Sequence, residues 1–178
     1  MKKLLLLFLA IVLTANVNAQ KYGLTSPDGK LTAGVEIDNG IYVALLKGRE
    51  ALVRMGNIGL ETQYLTGSRD AFKVLKVIPR TVNEIVTPEI REKSATFSNS
   101  YNELEIKFKG PFSIVFRLFN EGLAYRLITS SRDSLKILHE NLDIFLETGD
   151  SARFQSSETF NSPYETPYEH RQIEKIDS

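Results

Sequence analysis

The stretch YNELEIKFKGPFSIVFRLFNEGLAYR, residues 101–126, decides the fold class. In its first part Leu104, Ile106 and Phe108 alternate with charged residues, the period-two pattern of a β-strand with one buried and one solvated face. Residues 112–119 alternate again but are apolar on both faces, which predicts a central strand between two layers. A turn at residues 120–122 then returns the chain. The stretch predicts two or three consecutive antiparallel strands.

The rest of the chain carries the same kind of signal. Further strands are predicted at residues 22–28, 31–38, 41–47, 58–62, 72–78, 80–87 and, with a break at residues 140–141, at 135–146. Asn39–Gly40 indicates a two-residue hairpin between the second and third of these. After residue 19 no segment shows a sustained helical period with caps. We therefore predict an all-β fold, an antiparallel β-sandwich over residues 20–155.

Residues 1–19 have the composition of a secretory signal peptide, and we expect them to form a signal-peptide helix before the fold. Lys2 and Lys3 precede an apolar run of about ten residues, too short for a membrane span of about twenty. Ala19 ends a small-residue cleavage site. No cysteine follows, so neither a lipid anchor nor a disulfide is expected. These features predict secretion across an inner membrane to the periplasm or outer surface, without a stable membrane anchor.

The charge balance excludes one class of partner. Lys and Arg total 22, as do Asp and Glu, and the formal net charge is zero. Without the predicted leader the chain is slightly acidic, and no basic patch or charge run stands out. Nucleic acid is therefore not expected as a partner.

Residues 156–178 differ from the preceding sequence because they are polar and aromatic and lack strand alternation. We interpret them as an irregular aromatic and acidic segment, after which the chain is expected to be truncated before the rest of a larger domain.

Four motifs together resemble one known family. They are SPDGK at residues 26–30, IGLE at 58–61, YNEL at 101–104 and FRLFNEGLAYR at 116–126. In that order they resemble the N-terminal domain of glycoside hydrolase family 97, a family of exported bacterial α-glucosidases and α-galactosidases prominent in Bacteroidetes. The resemblance covers essentially the whole chain after the leader.

The resemblance implies a fold and a role. It implies the N-terminal part of a large galactose-mutarotase-like super-sandwich, which in family members precedes a (β/α)₈ catalytic barrel. A barrel needs about 250 residues, and this chain has no room for one. The implied function is that of a non-catalytic domain of an α-glycosidase acting on α-linked oligosaccharides, inactive without the missing catalytic barrel.

The resemblance also implies one site residue. The family's sandwich domain lends a glutamate to a calcium ion beside the catalytic site, and the matching position in the SPYETPY segment is Glu165. Calcium takes six to eight hard oxygen ligands, so one glutamate cannot hold it alone. Calcium is therefore expected as a cofactor of the intact enzyme and not of this chain by itself. Glu158 and Glu169 are weaker candidates for the same role.

Other candidate residues are interpreted as structural. Phe160, Tyr164 and Tyr168 could stack on sugar rings, although packing against a neighbouring domain is favoured. His139 and His170 lack metal-ligand spacing, so both are expected to be surface histidines or histidines with satisfied hydrogen bonds. Arg117 and Arg126 flank the central hairpin and are expected to pair with a carboxylate such as Glu103 or Glu121. Neither a catalytic residue nor a substrate-binding residue is assigned.

Two other functional hypotheses stay open. One is a free-standing carbohydrate-binding β-sandwich without hydrolase activity, which the predicted fold alone permits. The other is a truncated, non-functional product that exposes an apolar face meant for the missing parts.

Overall fold

The computed structural model describes residues 19–63, 72–90, 93–110, 112–130, 134–147, 149–157, 159 and 166–176. These residues form eleven β-strands and one short 3₁₀ helix at Ile173–Lys175. The strands are β1 Gln20–Thr25, β2 Leu31–Ile37, β3 Ile41–Lys47, β4 Glu50–Thr62, β5 Val74–Val86, β6 Phe97–Phe108, β7 Phe112–Leu118, β8 Leu123–Thr129, β9 Ile137–Phe145, β10 Ser151–Phe154 and β11 Glu169–Gln172. The predicted leader lies outside the described residues. None of the residues described forms a helix long and apolar enough to cross a membrane.

The strands form two sheets and a hairpin. One sheet has five strands in the order β1-β2-β3-β4-β9, and the other has four in the order β5-β6-β7-β8. Strands β10 and β11 pair separately. Every pairing is antiparallel. The two sheets pack face to face, with β1 against β6 and β2 against β7. The predicted all-β antiparallel sandwich is confirmed.

The core lies between the two sheets. The four-stranded sheet contributes apolar residues of the stretch 101–126 to this core. Among them, Ile106, Ile114 and Phe116 are fully buried. The five-stranded sheet contributes the alternating apolar residues of β2 and β3 together with Ile58 of β4. Burying such side chains stabilises the fold by about 1.5–3 kcal/mol each, which is why the period-two pattern determines the pairing of the sheets.

Residues 101–126 lie in β6, β7 and β8, three consecutive antiparallel strands, as the sequence predicts. Strand β7 is central in its sheet. Its second face is not covered by another layer of strands among the described residues. Val115 on that face is nevertheless buried.

Several strand boundaries differ from the predicted ones. Strand β5 runs unbroken through Pro79, which is tolerated because β5 lies at the edge of its sheet and needs no hydrogen bond from that nitrogen. Strand β9 is continuous across residues 140–141. Residues 169–172, predicted to be irregular, form β11 and pair with β10.

The two-residue turn lies at a different hairpin from the predicted one. Ile37 pairs with Ile41, so three residues connect β2 to β3. The next connection is shorter, because Lys47 pairs with Glu50 across Gly48–Arg49. Gly48 has φ 62°, a conformation that disfavours residues with a Cβ. Strand β4 therefore begins at Glu50 and includes residues 50–57, which had not been predicted as a strand.

Candidate functional site

Glu165, the residue matched to the calcium ligand, lies outside the described residues, as do Glu158, Phe160 and Tyr164. The nearest described residues on the C-terminal side are 166–168, and among them Tyr168 is 72% exposed. The assignment of Glu165 to calcium therefore stays a prediction.

Glu169 is engaged by its neighbours. Its carboxylate accepts a hydrogen bond from the Ser156 hydroxyl at 2.9 Å and forms an ion pair with Arg171. The Ser156 hydrogen bond, followed by that of Arg171, lowers the pKa of Glu169 below its usual value. Its carboxylate thus already has two partners, and its proposed role as a calcium ligand stays a prediction.

Both histidines lie on the surface, as predicted. His139 belongs to β9, opposite Glu61 of β4. His170 belongs to β11, and its Nε2 lies 3.0 Å from the Ser151 hydroxyl. Within the described ranges, no three His, Cys, Asp or Glu residues come together in a way that could hold a metal ion.

A charged cluster covers the outer face of the four-stranded sheet. Glu103 is only 5% exposed, and its carboxylate accepts 2.8 Å and 3.3 Å hydrogen bonds from Arg117 Nε and Arg80 Nη1. Arg80 also contacts Glu105 at 3.3 Å. The Arg117 guanidinium stacks over the Tyr101 ring at 4.6 Å. The predicted pairing of Arg117 with Glu103 is confirmed as a structural ion pair.

The other predicted arginine pairing is not seen. Across the part of the chain that the structure describes, Arg126 and Glu121 form no ion pair, and Arg126 lies opposite Val115 in the sheet. Arg80 was not singled out from the sequence. It occupies a predicted strand, but only the register between β5 and β6 places it opposite Glu103, and that register is not readable from local pattern.

Two of the motifs on which the family resemblance rests meet in space. Ser26, 3% exposed, donates from its hydroxyl to Asp28 at 2.7 Å and accepts from the Leu31 amide at 3.0 Å. The Asp28 amide donates to Asn120 Oδ1 at 3.0 Å, which joins the turn after β1 to the turn between β7 and β8. Hydrogen bonds from Ser26 and then from the Lys30 amide lower the pKa of Asp28 to about 2.

A cleft of about 460 Å³ lies between β1, β5 and β6. Its polar groups are already used. Thr81 donates to Asn102 Oδ1 at 2.7 Å, and Asn102 Nδ2 donates to the Thr25 carbonyl at 2.6 Å. Arg80 and Glu103 also line the cleft and pair with each other. The Asn102–Thr25 hydrogen bond joins the two sheets, whereas the other two contacts lie within the four-stranded sheet.

A second cleft, of about 440 Å³, opens on the other side of the sandwich. It is lined by Leu60, Tyr125, Arg126, Leu127, Ile137 and Glu140. Burial, and secondarily the Glu140 charge, raise the pKa of Tyr125 above its usual value. Four of the six lining residues are apolar or aromatic, Arg126 and Glu140 are charged, and together they come from β4, β8 and β9.

Glu103 and Glu105 do not have the arrangement of a glycosidase carboxyl pair. Glycoside hydrolysis uses two carboxyls on opposite sides of the scissile bond. Glu103 and Glu105, neighbours on one sheet face, are instead bridged by Arg80. Within the described residues, the arrangement supports structural roles for these carboxylates rather than catalysis.

The fold and these contacts define an antiparallel β-sandwich domain. The sequence model of the family described as Glycosyl-hydrolase 97 N-terminal matches residues 24–178. The chain belongs to this family. The identification suggested by the four motifs is therefore confirmed.

Individual proteins agree with this assignment. A retaining alpha-galactosidase of Bacteroides thetaiotaomicron (strain VPI-5482) is 27% identical over 189 residues, covering 99% of this chain and 28% of that protein. A glycoside hydrolase family 97 enzyme from Pseudoalteromonas sp. strain K8, solved with acarbose, matches with TM-score 0.58 and 19% identity over 67% of this chain and 19% of its own. The same enzyme as an E480Q variant with panose gives TM-score 0.55 and 18% identity, with the same coverage. The chain thus spans about 28% of the curated relative, and the structural matches bear on the fold alone.

Proposed function

We infer that this chain acts as the non-catalytic N-terminal domain of an exported α-glycosidase of family 97. In the intact enzyme it would support the active site and act on α-linked oligosaccharides only together with a catalytic barrel. The observation that carries this proposal is the family match over residues 24–178. The curated relative, named as a retaining alpha-galactosidase, supports an α-linked substrate.

The leader-like residues 1–19 support export to the periplasm or outer surface, because their composition is that of a cleavable signal peptide. Cell fractionation of a tagged chain in a Gram-negative host tests this. Processed protein in the periplasmic fraction, with Gln20 at its N-terminus, is expected, whereas unprocessed protein in the cytoplasm would contradict it.

We propose that Glu165 supplies one calcium ligand in the intact enzyme. The described residues alone do not fit a calcium site, since Glu169 is held by Ser156 and Arg171 and no cluster of three ligand-type side chains is present among them. The remaining oxygens would come from outside the described part of the chain. When bound, the ion would supply positive charge beside the reacting sugar.

The decisive experiment is a hydrolysis assay. Residues 20–178 should release no p-nitrophenol from p-nitrophenyl α-glucoside or α-galactoside, with or without added calcium. Turnover above that of a buffer control would refute a non-catalytic role for this chain. Calorimetric titration with calcium should show no saturable heat for the wild-type chain, and a tight site would contradict the view that Glu165 needs partners from elsewhere.

A further inference from the structure

Four lysines lie together at one corner of the four-stranded sheet, where β5 begins and β6 ends. Lys76 and Lys107 are directly opposite each other in the pairing of these strands. Next to them, the Lys109 amide donates a hydrogen bond to the Lys73 carbonyl at 2.8 Å, which places these two residues side by side. We name Lys73, Lys76, Lys107 and Lys109 the lysine corner. No charge run in the sequence indicates it, because two separate strands supply its members.

The side chains of the lysine corner point away from the core. Val74 packs against the core and Phe108 is buried in it, so strand alternation turns the lysines beside them to the outer face of the sheet. Lys76 shares that face because it lies opposite Lys107. All four lysines are exposed.

The positive charge of the lysine corner is largely uncompensated. Glu105 lies 3.3 Å from Lys107 Nζ, and the same carboxylate is shared with Arg80. The other three lysines form no ion pair with any residue that the structure describes. Like charges opposite each other on adjacent strands destabilise a sheet, so an anionic partner at this corner would stabilise the domain.

A large apolar side chain lies beside these lysines. Leu75 sits at the irregularity in the β5–β6 pairing, between Val74 and Lys76, and it is 64% exposed. Peripheral proteins bind anionic bilayers with this combination, because the ammonium groups meet lipid phosphates while the apolar side chain enters the boundary between headgroups and acyl chains. A soluble polyanion would neutralise the lysines but leave Leu75 in water.

The acidic residues of β9 lie far from the lysine corner. Strand β6 packs against β1 and β7 against β2, so β5 is at one lateral end of the sandwich and β9 is at the opposite end. Glu140 and Asp143 belong to β9. This separation of charge lets the basic end face an anionic surface while the acidic end points away from it, although the chain after its leader is slightly acidic overall.

From these observations we propose that the lysine corner, together with Leu75, binds reversibly to the surface of an anionic phospholipid bilayer. The groups recognised are the phosphates of the lipid headgroups. Binding of this kind is peripheral and needs no segment that spans the membrane. The inference rests on the proposed function only for the export that would bring the chain to a membrane surface.

Vesicle sedimentation with residues 20–178 tests the proposal. The chain should bind vesicles of equal parts phosphatidylglycerol and phosphatidylcholine, and it should not bind vesicles of phosphatidylcholine alone. Binding should be lost in about 1 M salt, where the Debye length is about 3 Å. Lys73→Gln/Lys109→Gln should lower the partition coefficient at least about tenfold, because one lysine near such a surface contributes about fivefold. Leu75→Ser should lower it at least about threefold if the leucine enters the bilayer.

The matched control removes two lysines that have carboxylate partners outside the lysine corner. Lys21 pairs with Glu36 at 3.5 Å and Lys30 pairs with Asp28 at 3.0 Å. Lys21→Gln/Lys30→Gln changes the net charge by the same amount as the test variant and should bind vesicles within about twofold of the wild type. The urea midpoint of Lys73→Gln/Lys109→Gln should not fall below that of the wild type, since the substitutions relieve contacts between like charges.

Three results would overturn the proposal: no binding to the anionic vesicles, equal binding to neutral vesicles, or equal loss of binding in the two double variants. Binding to dextran sulfate without binding to vesicles would also overturn it and would assign the lysine corner to an anionic polysaccharide. The assay uses the purified chain, so its failure would leave export and the non-catalytic role untouched.

Discussion

Replacing Glu103 with glutamine tests whether the charged cluster on the four-stranded sheet stabilises the domain. The side chain is 5% exposed and accepts hydrogen bonds from Arg117 at 2.8 Å and Arg80 at 3.3 Å. Glutamine keeps the size but removes the charge and turns a donor toward one of the guanidinium groups. A hydrogen bond to a charged group contributes about 1.5–3 kcal/mol. Because the Arg117 and Arg80 side chains are 38% and 56% exposed and regain water, we expect a loss of about 2 kcal/mol in unfolding free energy.

Urea unfolding of residues 20–178, followed by far-UV circular dichroism because the chain has no tryptophan, measures this change. Glu105→Gln is the matched control. Its carboxylate is 12% exposed, and its contacts to Arg80 and Lys107 are both 3.3 Å, so the expected loss is below about 1 kcal/mol. A double-mutant cycle of Glu103→Gln with Arg117→Met should give a coupling energy of about 1 kcal/mol. Equal losses for the two glutamates, or a coupling energy within about 0.3 kcal/mol of zero, would refute the reasoning.

Three further predictions concern stability and binding. Gly56→Ala should lower the unfolding free energy by about 1 kcal/mol, because an added Cβ would lie 2.8 Å from ring atoms of both Phe145 and Tyr42. Gly34→Ala is the control, since an added Cβ there would have nothing within 4 Å and should not destabilise the fold. Equal urea midpoints for the two variants would contradict this prediction. Wild-type stability should fall as pH drops from about 4 to about 2, since the folded pKa of Asp28 lies below its unfolded value and the stabilisation it gives is lost on protonation. Asp28→Asn should flatten that part of the pH profile, and indistinguishable profiles for wild type and Asp28→Asn would count against the Ser26–Asp28 turn. Calorimetric titration of residues 20–178 with malto-oligosaccharides should give a flat trace, and saturable binding would instead support a free-standing carbohydrate-binding module.

The sandwich was predictable because its core strands bury one face each. Residues such as Leu104 and Ile106, or Val35 and Val43, repeat at period two, and burial of that repeat fixes which face turns inward. The limits of the strands were less predictable. Pro79 suggested an interruption, yet an edge strand accommodates it, and the order of the sheet shows that β5 is an edge. The sequence did contain the cue for the start of β4, since a glycine followed by a polar residue at 48–49 is typical of a two-residue hairpin.

Long-range partners were predictable only where oppositely charged residues lie on neighbouring predicted strands, and then only as a choice between two carboxylates. Arg117 and Glu103 lie on adjacent predicted strands, so their ion pair could be expected, although Glu121 was an equal alternative for the arginines. Arg80 and the contact of Asp28 with Asn120 depend on how distant segments are brought together, and periodicity carries no information about that. The calcium assignment to Glu165 came from resemblance alone, and it stays a prediction because that residue lies outside the described part of the chain.

The two outer surfaces of this domain imply different environments. On the four-stranded sheet, Glu103, Glu105 and three cationic side chains form ion pairs, while Arg117 also covers Tyr101, so the face is compatible with water. At β9 the same chain exposes large apolar residues, with Glu140 and Asp143 lacking any ion pair among the residues described. Apolar side chains that stay exposed to water contribute little to the free energy of folding. They would contribute more only if another surface covered them. Local opening, measured by amide exchange of residues 20–178, should therefore be faster in β9 than in the central strands β6 and β7, and uniform exchange across both sheets would contradict this difference.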